Sequence, residues 1–167
     1  MHMELVPVER EDKSVLRNLL EKYEYEFSQY DQRDVNCNGL YDYWYVDHYW
    51  TEDNRWAFFL LADGKLAGFV MVNDYPEVDL PSDYTLSEFF VVYKYRRSGL
   101  GTFAVRQLLE RFHGGWQLKY HTKNTGSVAF WNKVVGDATE GNYRVVRNHP
   151  DALYPDGTPG EVLLFTT

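Results

Sequence analysis

The chain has 167 residues, 44% of them hydrophobic, and a formal charge of −8. That length suits one domain with a substantial core, and the negative balance argues against a nucleic-acid binder. The single cysteine, Cys37, excludes an intramolecular disulfide; no stretch reads as a membrane span or a signal peptide, so a soluble cytoplasmic protein is expected.

Met3 to Val8 alternates and predicts a first strand. A helix should begin near Asp12 and Ser14, because Leu16, Leu19, Leu20, Tyr23 and Phe27 follow one helical face. It should end among Ser28 to Asp34. Asp34-x-Asn36-x-Asn38-Gly39 then copies the first half of a calcium loop. Tyr45 stands where the closing bidentate Glu belongs, so a polar turn without metal is expected. Tyr41 to Trp50 holds six Tyr or Trp residues and His48. Tyr41, Trp44, Tyr45 and Tyr49 have helical spacing, which predicts a helix whose rings form either core or a pocket wall.

Trp56 to Leu61 and Leu66 to Val72 read as a hairpin turned by Asp63-Gly64. Asn73 to Asp83, with Pro76 and Pro81, reads as a loop. Glu88 to Tyr93 is β-branched and aromatic, a strand. From Thr102 a helix is expected, with Val105, Leu108, Leu109 and Phe112 inward and Gly114 and Gly115 as its stop. Trp116 to Tyr120 is a strand and Ser127 to Val135 a short helix. Tyr143 to Arg147 and Glu161 to Phe165 close the chain. The order β-α-α-β-β-β-α-β-α-β-β implies one α/β (α+β) domain over residues 1–167, a mixed sheet with helices on both faces.

Between the Glu88 to Tyr93 strand and the helix after it lies Arg96-Arg97-Ser98-Gly99-Leu100-Gly101. Two glycines allow close backbone approach, a helix N-terminus offers unpaired N–H groups, and two guanidinium groups flank them. Together they describe a phosphate site, against the plainer alternative of a solvated corner. Walker A is excluded, since no Lys-Ser or Lys-Thr follows. Gly99-x-Gly101-x-x-Ala104 fits a dinucleotide fingerprint, but the strand is not first and no acid follows at the ribose-binding distance. Residues 91–124 hold 7 Lys or Arg against 1 Glu, whereas residues 1–90 hold 7 against 19 Asp or Glu. A polyanionic cofactor suits the basic third.

Arg96-x-x-Gly99-x-Gly101 after an apolar strand resembles the acetyl-CoA motif R/Q-x-x-G-x-G/A of the GNAT superfamily of N-acetyltransferases. Asn124-Thr-Gly-Ser-Val-Ala-Phe130-Trp131-Asn-Lys133 resembles the family's later N-x-x-A-x-x-L/F-Y-x-K helix. The resemblance implies a mostly antiparallel central sheet and acetyl-CoA as co-substrate. Its pantetheine arm would pair with main-chain groups of Phe90, Val91 and Val92, in a slot beside a splayed strand. Its pyrophosphate would lie on the amides of Arg97, Ser98, Gly99, Leu100, Gly101 and Thr102. Asn124 would contact the arm or position the loop. Trp131 stands where the family often has a Tyr acid, which an indole does not replace; Tyr120, Tyr143 or solvent remain as proton sources.

Glu88 is the expected base, as the one carboxyl inside an apolar strand, where desolvation raises its pKa. A solvated structural Glu is the alternative. His113, at a helix end, and His121, at a strand end, are weaker candidates for the base, since a lone histidine in such places is usually at the surface. The acceptor is expected to be a primary amine of a small cationic molecule or a peptide N-terminus, held against Tyr41, Trp44 and Tyr45 by ring faces. No nucleic acid or membrane partner is implied, and a homodimer is allowed. The runner-up function is a non-catalytic acyl-CoA sensor.

Overall fold

The computed structural model describes residues 1–167. Seven strands form one sheet in the order β1-β2-β3-β4-β5-β7-β6: β1 Met3–Pro7, β2 Arg55–Ala62, β3 Lys65–Asn73, β4 Tyr84–Val91, β5 Gly115–Tyr120, β6 Tyr143–Val146 and β7 Glu161–Thr166. Every pairing is antiparallel except β4 with β5. That parallel pair needs a crossover, and helix α2, Leu100–Arg111, supplies it. The β2–β3 hairpin turns at Asp63 and Gly64, with φ of 49° and 69°, the left-handed pair of a tight hairpin turn.

Helix α1, Lys13–Asp31, covers one sheet face with Leu16, Leu19 and Leu20 against Phe59, Phe69 and Met71. Helix α2 and helix α3, Thr125–Ala138, cover the other, where Leu108 and Val135 meet Phe58, Val70 and Leu118. Alternation along β2 and β3 sends successive side chains to the two layers, as a sheet buried on both faces requires.

Three expectations about the elements need correction. Tyr41 to Trp50 is not an α-helix: Asp42 has φ 57°, and the Tyr41 and Asp42 N–H groups bond the Glu21 carboxylate at 3.0 and 2.9 Å. The left-handed Asp42 interrupts the helical backbone, and the Glu21 carboxylate of α1 pins the irregular segment at that point. Only a short 3₁₀ turn, Val46–Trp50, follows, burying Val46 and Tyr49. β4 starts four residues earlier than expected, because Thr85 and Leu86 pair on both sides, and stops at Val91 before a 3₁₀ turn at Tyr93–Tyr95. Helix α2 ends at Arg111 rather than at Gly114; Gly115 already belongs to β5. The turn around Gly39 (φ 73°) is built by the Asn36 carboxamide, which accepts from the Asn38 and Leu40 N–H groups.

Candidate active site

Two features of β4 build the centre of the site. The first is a bulge. Leu86 pairs with Val72 and Glu88 with Met71, so Ser87 has no partner. Without it, Glu88 would share the α2/α3 face with Leu86. The extra residue turns its carboxyl to the α1 face, where Tyr43 Oη donates to Glu88 Oε1 at 3.2 Å. The second feature is a parting of strands. β4 pairs with β5 only over Tyr84–Leu86 and Trp116–Leu118, although both strands run on. The Val92 N–H donates to the Ala67 carbonyl at 2.9 Å. Antiparallel alternation therefore commits Phe90 and Val92 to β3 and turns the main-chain groups of Phe89 and Val91 toward the gap. Of the three residues expected to face an extended ligand there, only Val91 does, joined by Phe89.

Burial raises the Glu88 carboxyl to about 8, more than the phenol hydrogen bonds of Tyr23 and Tyr43 draw it back; Glu24 and Glu77 add to the rise. Burial and the neighbouring Glu88 hold both phenols far above their ordinary range, so they serve as hydrogen-bond donors. The cavity in front of Glu88 measures about 680 Å³ and is lined by Tyr23, Phe27, Tyr43, Trp44, Tyr45 and Tyr154 among others. Trp44 and Tyr45 thus line it. Tyr41 does not: it lines a neighbouring groove with Tyr25, Val35 and Leu40. The Tyr45 face is already occupied, since the Arg55 guanidinium lies over it at 5.5 Å.

Tyr154 arrives from the loop between β6 and β7, and His121 fastens it. His121 is fully buried rather than superficial. Its Nδ1 accepts from the Lys123 N–H at 3.2 Å, which leaves Nε2 to donate to Asp156, also at 3.2 Å. The ring packs on Tyr154 with centroids 4.6 Å apart. Lys123 and Thr158 hold the Asp156 carboxyl well below the usual carboxylate range. His113 is exposed.

At the far end of β4 the chain turns through Arg97, φ 61°, and Gly99, φ 88°, into α2. No side chain caps this helix, and its first internal bond is the Phe103 N–H to the Gly99 carbonyl at 3.0 Å. The N–H groups of Leu100, Gly101 and Thr102 therefore face outward at the positive end of the dipole. The Leu100 side chain is buried, so only its main chain is on offer; the Ser98 hydroxyl donates to the Tyr95 carbonyl. Gly99 is required by its backbone angle. At Gly101 a Cβ would lie 3.1 Å from the Phe130 ring, so a larger residue needs that ring to give way. Unpaired amides at a helix start and a gap beside β4 fit an acyl-CoA.

Arg96 does not flank this turn as a free cation. Its guanidinium grips Glu26 on α1 through two bonds of 2.7 and 2.6 Å, and its Nε donates to the Val91 carbonyl at 2.7 Å. Arg97 is the exposed guanidinium. Asn124 caps α3, accepting from the Ser127 N–H at 3.1 Å. Trp131 is buried against Phe89 and Phe130. Tyr120 donates to Glu161 at 2.7 Å, and Asn132 ties Tyr120 to Tyr143 with bonds of 2.9 Å. Burial and the Glu161 hydrogen bond push the Tyr120 phenol up to about 12.

Residues 14–136 match the model of the Acetyltransferase (GNAT) family. No curated protein matches the sequence. Among solved structures, an acetyltransferase from Thermus thermophilus superposes with a TM-score of 0.68 at 15% identity, over 100% of this chain and 98% of the other. The spermidine N-acetyltransferase from Vibrio cholerae, in complex with CoA and spermine, gives 0.62 at 13% identity, over 98% and 95%. The ribosomal-protein-S18-alanine N-acetyltransferase from Escherichia coli gives 0.58 at 16%, over 98% and 92%. At these identities the likeness establishes the fold. No helix is long and apolar enough to cross a membrane.

Proposed function

The chain belongs to the GNAT acetyltransferase family, and from that premise we propose that it moves the acetyl group of acetyl-CoA to the primary amine of a small cationic molecule or a peptide N-terminus. The observation that carries this reading is the bulge-directed Glu88 at the back of an aromatic cavity, next in sequence to the main-chain groups of Phe89 that face the gap. Acetyl-CoA, when bound, supplies an activated acyl carbon. Everything else is asked of the chain. The outward amides from Leu100 to Thr102 and the Arg97 side chain hold phosphate, and the Val91 N–H holds an amide of the arm. Glu88 takes the proton that the amine sheds as its nitrogen bonds the acyl carbon and the carbon–sulfur bond breaks. A carboxyl raised to about 8 is a far better match to an ammonium than an ordinary one. Tyr23 and Tyr43 keep the carboxyl aimed. Solvent returns a proton to the departing thiolate, since the Tyr120 proton is engaged by Glu161.

Two neighbours in fold carry names that specify amine acceptors, spermidine and a ribosomal-protein alanine, which supports the acceptor class. The sensor alternative leaned on Trp131, and ring packing with Phe89 at 5.0 Å and Phe130 at 4.8 Å accounts for that residue. Release of free thiol from acetyl-CoA over a panel of amines is the test. Cationic amines should give it; CoA binding by calorimetry with no amine acetylated would sink the proposal.

A further inference from the structure

We infer that the cavity takes an acceptor with one positive charge and an apolar or aromatic body, and that Arg33 sets this limit by standing where the second ammonium of a polyamine would bind. The inference rests on the acetyltransferase reading and names the substrate class of the same cavity.

Five carboxyl groups line the cavity: Glu24, Asp31, Asp42, Glu77 and Glu88. Their number suggests a site for several ammonium groups, and their partners say otherwise. The Arg33 guanidinium pairs with both Glu24 and Asp31, which are only 5% and 4% exposed. Lys119 pairs with Glu77 at 3.0 Å. The ring faces are treated alike. Arg55, held by Glu52 at 2.7 Å, lies over Tyr45 at 5.5 Å and Tyr75 at 4.5 Å. Lys119 also lies over Tyr154 at 4.7 Å, so the chain's own cations occupy three of the five carboxylates and three of the rings. Two carboxyls are left without a cation. Asp42 is at the exposed rim, bonded to the Asn36 carboxamide at 2.7 Å, where a charge pair contributes little. Glu88 is the deep one.

An acceptor with a single ammonium meets Glu88 and packs its body on Tyr43 and Trp44 without disturbing any of these pairs. A polyamine must either leave its further ammonium groups unpaired in the cavity or expel Arg33 from two buried carboxylates, and stripping a buried ion of its partner is costly. Arg33 is thus a specificity-determining residue that fills, from within, an anionic pair otherwise suited to a second substrate charge.

Thiol release from acetyl-CoA by the wild-type chain, with phenethylamine and spermidine compared, tests the inference. We expect kcat/KM to favour phenethylamine by about tenfold, the scale of one partly desolvated charge pair. Equal or better use of spermidine overturns the inference and leaves the acetyltransferase reading standing. No release from any amine overturns both. Arg33→Gln should move the ratio toward spermidine by about tenfold, and Asp31→Asn added to it should bring the ratio back by restoring the net charge. An unchanged ratio in a folded Arg33→Gln protein removes Arg33 from the account; should that variant not fold, the wild-type ratio decides alone.

Discussion

The proposed cofactor half and the proposed acceptor half of the site are made differently. The former is main chain: the gap beside Phe89 and Val91 and the uncapped start of α2, all within one run from β4 to Thr102. The latter is side chain: Tyr23 from α1, Tyr43 from the irregular segment, Glu88 from β4 and Tyr154 from a distant loop. Main-chain chemistry depends on conformation, so it tolerates many side chains and demands particular glycines. Side-chain chemistry depends on which residues the fold brings together. The two halves should therefore fail in different ways.

The largest effect should come from the acceptor half. Glu88→Gln should lower turnover by about 100-fold, the usual scale for removing a general base, with CoA affinity unchanged by calorimetry. Wild-type turnover should rise through an ionisation near pH 8 that the variant lacks. Stability should move the other way. The folded state keeps the Glu88 proton between pH 4.5 and about 8, where the unfolded chain has lost it, so stability falls as pH rises through that window. Glu88→Gln should then melt above the wild type at pH 9, and the gap should close toward pH 4.5. A variant with wild-type turnover would make Glu88 a structural group.

In the cofactor half, Gly99→Val forces a β-branched residue to φ 88°. CoA affinity should fall by about tenfold or more, since the outward amides that hold phosphate lose their aim. Gly99 separates this loss from packing better than Gly101, whose added Cβ would press on Phe130. Unchanged CoA affinity in a folded Gly99→Val protein would break the comparison between the halves. The smallest effect should be Tyr43→Phe. It removes one donor from the Glu88 carboxylate, so the ionisation in the pH–turnover profile should move up by roughly half a unit to one unit, the worth of one modest hydrogen bond. A downward shift would show that Tyr43 does not stabilise the ionised form.

The same division explains what could be read from the sequence. The strand, the turn and α2 are contiguous, and the hydrophobic period changes where the structure changes, so that part of the fold was legible. Glu88 was legible as a carboxyl in an apolar strand, but its direction depends on the Ser87 bulge, which alternation alone places on the wrong face. The Tyr41–Trp50 spacing looked helical because nothing nearby announces the left-handed turn at Asp42, which Glu21, about twenty residues earlier, pins through the Tyr41 and Asp42 amides. Arg96 looked free because Glu26 lies 70 residues away. Tyr23 was visible on the α1 stripe and read as core. Its role depends on Tyr43 and Glu88, which only the folded chain brings to it. For His121, the polar Asp156-Gly-Thr158 turn 35 residues on was the one available hint of a partner.

The short seam between β4 and β5 has a consequence for assembly. β1 to β4 form one antiparallel unit and β5, β7 and β6 another, and three residue pairs join them. The first unit is completed by residue 91 and the second by residues beyond 114. The gap that faces Phe89 exists only once both have formed and docked through the α2 crossover. Neither half of the chain contains an active site in rudiment. Partly folded molecules, whose cooperative units form separately, are consequently silent, and catalytic activity is a measure of the fully assembled sheet.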